Sequence, residues 1–274
     1  MTRGSSDSAA AAPIGVFDSG IGGLTVVREL MRQLPAERII YFGDTARVPY
    51  GPKSPDTVRR YSREIADFLT AEGVKAIVVA CNTATAHALP QLQARESVPV
   101  IGVVEPGARA AVAASSTGRI GVIGTAGTIA SGAYERAILA LLPDAHIVVR
   151  ACPLLVPLVE EGWLDTEATR LIAREYLAPL ADESVDALVL GCTHYPLLKT
   201  VLGETIGVAV QLIDSARETA AETARVLDAR GLRAPPEERG AHRFISSDAP
   251  DQFLRLGQRF LGSTIDRVEK ITLG

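Results

Sequence analysis

Cysteine, tryptophan, methionine and histidine are all scarce in this chain. Of 274 residues, three are cysteine, one is tryptophan, two are methionine and four are histidine. An odd trio of thiols makes no disulfide framework and suits a reducing compartment, so a cytoplasmic location is expected. With so few histidines and no C-x2-C pair, no metal site is expected. Long hydrophobic runs are missing too. The longest uncharged stretch, Ala76–Ala94, contains Asn82, Thr83, Thr85, His87 and Pro90, too polar to cross a bilayer, so no membrane partner is expected. A net charge of −4 leaves no basic footprint, and no direct nucleic-acid partner is expected. Met1–Ala12 is Ser/Ala-rich without an apolar core, which reads as a disordered tail rather than a signal peptide.

What is present is a folding chain, 47% hydrophobic and 22% charged. Short apolar runs alternate with helical periodicity. Strands are predicted at Pro13–Phe17, Arg38–Phe42, Lys75–Val79, Val98–Val104, Arg119–Ile123, His146–Val149, Ala187–Leu190 and Val208–Ile213. They are continuously apolar, as strands covered by helices on both faces are. Leu24, Val27, Met31 and Leu34 mark one amphipathic helix; Val58, Tyr61, Ile65, Phe68 and Leu69 mark another. A later helix is expected over Ser215–Ala229, capped by Asp214 or Ser215 and ended by Gly231. The Pro- and Gly-bearing stretch Arg230–Ala241 reads as a linker, followed by a strand at His242–Ser246 and a helix at Pro250–Leu261. The pattern predicts a doubly wound α/β protein with mostly parallel sheets.

A weak internal echo adds to this. Val78-Val79-Ala80-Cys81-Asn82-Thr83 and Val189-Leu190-Gly191-Cys192-Thr193-His194 each run from an apolar strand through a small residue to Cys and then polar side chains. Two pseudo-symmetric lobes are expected, residues 13–100 with 215–274 and residues 101–214, with the active site between them. Sites of open α/β sheets lie beyond the carboxyl ends of the strands, where both thiols fall. A helix N-terminus there favours the thiolate and brings its pKa toward neutrality. A single buried cysteine is most often a small core hydrophobe, which is the reading for Cys152. Two in matching contexts suggest a pair of bases. A Cys192–His194 nucleophile pair is the competing reading, but it leaves Cys81 without a role.

Other polar loops fall at the same strand ends. Asp18-Ser19-Gly20-Ile21-Gly22-Gly23 permits a tight turn and close backbone approach, but is neither G-x-G-x-x-G nor a P-loop. Asp18 could accept from a substrate ammonium or orient a thiol. Pro49-Tyr50-Gly51 and Gly124-Thr125-Ala126-Gly127-Thr128 supply amides and hydroxyls. Many neutral donors, two thiols and no basic cluster suit a small carboxylate better than a polyphosphate.

These motifs resemble one family in combination and in order. Asp18–Leu24, Val48-Pro49-Tyr50-Gly51, Ala80–Ala84 and Gly191–Leu197 closely resemble the segments of glutamate racemase, and Pro157–Gly162 resembles a further one. The resemblance covers residues 13–230. It implies a cofactor-independent isomerase supplying D-glutamate for peptidoglycan, with Cys81 and Cys192 flanking the substrate Cα. Cys81 would act on D-glutamate and Cys192 on L-glutamate. Asp18 and His194 would assist proton transfer, and Glu160 would orient His194. Asp18-Ser19, Tyr50-Gly51 with Pro49, Asn82-Thr83 and Thr193-His194 match substrate-binding segments, with Thr125 and Thr128 as further carboxylate donors. No cofactor is expected; a homodimer is, and the family also admits a contact with DNA gyrase. Aspartate racemase is the nearest alternative. The C-terminal region is expected to lie away from the chemistry.

Overall fold

Apolar runs too short for helices and too continuous for exposed strands become the buried strands of two parallel sheets. The computed structural model describes residues 9–236 and 242–274. The first run is β1 (Ile14–Asp18), α1 (Leu24–Gln33), β2 (Ile39–Gly43), α2 (Pro55–Ala71), β3 (Ala76–Val79), α3 (Asn82–Arg95), β4 (Val100–Gly102) and α4 (Val104–Ala114). The second comprises β5 (Arg119–Gly124), α5 (Ala126–Ala130), α6 (Ala133–Leu141), β6 (His146–Ala151), α7 (Leu155–Glu160), α8 (Glu167–Asp182), β7 (Ala187–Gly191), α9 (Lys199–Ile206) and β8 (Gln211–Asp214). After α10 (Ser215–Ala229) come β9 (Arg243–Ser246), α11 (Pro250–Leu261) and β10 (Glu269–Lys270).

One sheet has the order β10-β9-β2-β1-β3-β4 and the other β6-β5-β7-β8. Every strand pair is parallel. The register aligns the carboxyl ends: Asp18 lies opposite Gly43, and Gly124 lies opposite both Ala151 and Gly191. Loops that follow the central strands therefore emerge side by side. The helices close both faces. α1 buries Leu24, Val26, Val27 and Leu30 on one stripe. Ser54 caps α2 by accepting the Thr57 amide at 3.3 Å, with Pro55 at the first helical position.

Several boundaries differ from expectation. The run Val98–Val104 yields a strand only at Val100–Gly102, because the valines at 103 and 104 already enter α4. That strand crosses the expected lobe division at residue 100 and pairs with β3, placing Ile101 and Gly102 in the first sheet. Val208 is 96% exposed and lies outside β8, in a turn made by Gly207 at φ 110°. Asp214 does cap α10, accepting from the Ala216 amide, and Gly231 follows at φ 64°. Residues 237–241 of the expected linker and 1–8 of the expected tail lie outside the described residues. Ala10, inside that expected tail, is buried, and its carbonyl accepts from the Lys75 ammonium at 2.5 Å.

Lys75 also pairs with Glu37 at 2.5 Å, the side chains 2% and 1% exposed. Glu37 accepts from the Ala234 amide at 2.9 Å, so one buried ion pair ties the entries to β2 and β3 to the chain before β1 and the stretch after α10. Removing the lysine leaves a carboxylate buried without its counter-charge. Lys75→Met is expected to lower the unfolding free energy by about 3–5 kcal/mol, measured by urea denaturation. A loss below about 1 kcal/mol, the range of exposed pairs, would show that water reaches Glu37.

Candidate active site

Five strand-end loops build the site. After β1, the buried Asp18 carboxylate accepts from the Gly20 amide at 3.0 Å, drawing the turn tight. The turn needs glycine for contact across the lobes. A Cβ on Gly22 would overlap Thr193 Oγ1 and the His194 ring. Thr25 Oγ1 donates to the Gly22 carbonyl at 2.9 Å and lies 3.3 Å from the Thr193 carbonyl, stitching the same junction.

After β2, Asp44 is fully buried and gathers three donors. Tyr50 Oη donates at 2.5 Å, Arg47 Nε at 2.7 Å and Ser247 Oγ at 2.9 Å. These bonds fold residues 44–51 over the strand ends and present Pro49, Tyr50 and Gly51 to the site. Ser247 follows β9, so the C-terminal region does reach the site's framework, contrary to expectation. The chain folds back there because β9 pairs with β2.

After β3, Cys81 caps α3, its Sγ accepting the Ala84 amide at 3.4 Å. Asn82 Oδ1 accepts from Tyr134 Oη at 2.7 Å, while Asn82 Nδ2 is buried without a partner among the described residues. Thr83 Oγ1 lies 2.9 Å from Thr125 Oγ1 and 3.1 Å from Thr128 Oγ1, a hydroxyl triangle joining α3 to the second sheet. The Gly127 amide donates to the Gly51 carbonyl at 2.9 Å.

After β7 comes Cys192. Expected to open a helix, it instead precedes a single 3-10 turn, Tyr195–Leu198, and α9 begins only at Lys199. Its sulfur lies 3.9 Å from His194 Nδ1, and His194 Nε2 lies 3.0 Å from Glu160 Oε1 at the end of α7.

Both thiols line one small cavity. Ser19, Pro49, Tyr50 and Gly51 share its wall with Asn82, Thr83, Thr125, Thr193 and His194. Asp18, Thr128 and Glu160 stand behind that wall, each bonded to a residue on it or to the loop that shapes it. Val156 of α7 lines the cavity and had no sequence signal, being one apolar residue in an amphipathic turn. Tyr134 and Ser247 were missed as well, since each acts through a partner far off in sequence. Cys152 packs in the apolar core, away from the cavity.

The family model for Asp/Glu/hydantoin racemases matches residues 14–223. The chain belongs to that racemase family. It is 57% identical over 260 residues to a glutamate racemase of Geobacter metallireducens, covering 95% of this chain and 96% of the other. A glutamate racemase of Bacillus anthracis has the same fold at TM-score 0.92 and 44% identity, over 95% of this chain and 97% of that one. The Francisella tularensis glutamate racemase, solved in complex with D-glutamate, matches at TM-score 0.90 and 38% identity, over 96% and 98% of the two chains. Among the described residues of this racemase, no helix is long and apolar enough to cross a membrane.

Electrostatics distinguish the racemase's two thiol sites. Burial pushes the Cys81 thiol up to about 12, and the Asp18 charge pushes the same way; the Ala84 amide and Ser19 oppose them. The helix N-terminus therefore does not bring Cys81 toward neutrality by itself, because one N–H···S bond offsets only part of the desolvation. Burial also raises Asp18, against the His194 charge and the amides of Gly20, Gly23 and Ser19. For His194, burial favours the neutral ring, but hydrogen bonds and charge from Cys192 and Glu160 outweigh it and carry the pKa up to about 10. The imidazolium is thus the form held at neutral pH, with a ring N–H directed at each partner.

Two outcomes follow from this geometry. Gly22→Ala is expected to abolish racemisation while the far-UV circular dichroism stays native; near-normal turnover would show that Thr193 and His194 can retreat from a methyl group. His194 gains its proton in the fold, so its contribution to stability is complete below pH about 6.5 and fades as pH rises toward 10. The difference in unfolding free energy between wild type and His194→Asn should shrink across that window, and a constant difference would refute the bound proton.

Proposed function

We propose that this racemase interconverts L- and D-glutamate by two-base proton transfer between Cys81 and Cys192. What supports the reading is that one cavity is lined by two thiols, each delivered by a different sheet. Inversion at a carbon requires proton removal on one face and delivery on the other, so the two groups must come from opposed walls. One thiolate takes the α-hydrogen as a proton and becomes a thiol; the electron pair stays on Cα, spread into the adjacent carboxylate. The other thiol gives its proton to the opposite face and becomes the thiolate. The protein ends in the mirror protonation state, ready for the reverse reaction. Cys81 serves D-glutamate and Cys192 L-glutamate.

The neighbours take matching roles. Asp18 stands beside Cys81 as a like-signed neighbour, while the Glu160–His194 couple places a protonatable ring beside Cys192. Pairing a substrate ammonium with Asp18 and a thiolate offsets the desolvation that raises Cys81. Asn82 Nδ2, with no partner among the described residues, and the Thr83–Thr125–Thr128 hydroxyls are donors for carboxylates. Supply of D-glutamate to peptidoglycan, a cytoplasmic location and a homodimer accompany this reading; contact with DNA gyrase is admitted only by the family resemblance.

Cys81→Ala and Cys192→Ala should each lower racemisation by about 10²–10⁴-fold, the usual worth of a general base, with the fold retained. In D₂O without pyridoxal phosphate, the wild type should exchange the α-hydrogen of glutamate for deuterium. Substantial racemisation by either alanine variant, or faster turnover of aspartate than of glutamate, would overturn the proposal.

A further inference from the structure

Helix α11 comes from the C-terminal stretch, yet its last turn sits against the imidazole of the second lobe. Phe260 is fully buried, its ring 5.2 Å from that of His194 between centroids and inclined at 78°. This is an edge-to-face contact of the kind aromatic rings prefer. One residue earlier, Arg259 Nη1 lies 3.4 Å from the Val159 carbonyl oxygen, as its donor. Its guanidinium also packs over Gly162, where a Cβ would come within 3.0 Å of Nη1. Val159 and Gly162 bracket Glu160. Consecutive residues of one helix therefore touch the His194 ring and the chain on either side of Glu160.

The helix is itself secured to the first sheet. Phe253 packs on Tyr41 with ring centroids 5.9 Å apart, and Gly257 lets the helix close on Leu24. It forms a strut from the first sheet to the couple in the second lobe. The couple needs one. The torsion that turns an imidazole is broad, so bonding at both ring nitrogens requires something to fix the ring plane. Glu160 is one-third exposed at the end of a six-residue helix, a weak anchor on its own.

We propose that α11, through Phe260 and Arg259, is the positioning element that keeps the His194–Glu160 couple aligned on Cys192. Phe260 touches no reacting atom and acts through His194. The proposal rests on the reading of Cys192 and His194 given above. The ionisable groups around His194 are Cys192 on its own segment, Glu160 from α7 and Asp18 from β1, with Arg259 beyond Val159 on α11.

Phe260→Met tests it, because methionine nearly conserves the volume and a purely space-filling role predicts no change. The expected result is a loss of about 3- to 10-fold in kcat for both enantiomers, the worth of one aromatic pair, with KM little altered. The His194 titration, followed by ¹⁵N NMR of the imidazole, should fall below its wild-type midpoint as the bonds to Glu160 and Cys192 loosen. Wild-type kcat and an unmoved midpoint would overturn the proposal. Should Phe260→Met fail to fold by circular dichroism, Arg259→Lys decides. It keeps the charge but gives up the guanidinium packed over Gly162, and should lower both kcat and the midpoint; no change in either overturns the proposal. If the wild type itself failed to racemise glutamate, the functional reading would fall, while the His194 titration would still decide whether α11 positions the ring.

Discussion

Ionisable groups held out of water where two sheets meet set the terms for the rest of this molecule. Asp18, Cys81 and His194 are all buried, and each would lose its charged form unless a neighbour offset the desolvation. The two sides of the cavity meet that demand differently. His194 has a carboxylate on one nitrogen and a sulfur by the other, and its proton is secured. Cys81 has one backbone amide and a like-signed neighbour, Asp18, and its thiol is held in the neutral form. The two thiols therefore stand in unequal electrostatic surroundings.

The lobes can share a site because the residues at their junction are small or double as hydrogen-bond partners. Gly22 admits the Thr193–His194 segment, Gly127 meets Gly51 through backbone, and Thr83, Thr125 and Thr128 close a triangle of hydroxyls. Larger side chains here would push the sheets apart and separate the thiols. Parallel pairing with aligned registers brings the strand-end loops of each sheet to one level, so the cavity forms beyond the carboxyl ends of the strands.

Much of this was legible in sequence where the signal was local. The strand cores of β1, β2, β3, β5 and β7, the capped helix α10 and the matching contexts of Cys81 and Cys192 all rest on short-range pattern. The failures were at ends and across long distances. β4 is three residues long because the same valines can begin a helix, a choice periodicity does not make. Cys192 precedes a 3-10 turn where an α-helix was expected, so the resemblance between the two thiol segments is looser in space than in letters.

The chain's own letters determined the alternation of strand and helix, the two thiols at strand ends, and a family of motifs spread across most of the length. Each depends on neighbours within a few residues, where spacing and geometry are tied by the backbone. Tertiary structure alone decided which side chains bear on those thiols. Asp44 gathering Tyr50 and Ser247, Tyr134 holding Asn82, and Phe260 against His194 are contacts between distant segments. The ionisation of the site was decided there as well. Desolvation depends on how completely other segments exclude water, and no local spacing encodes that.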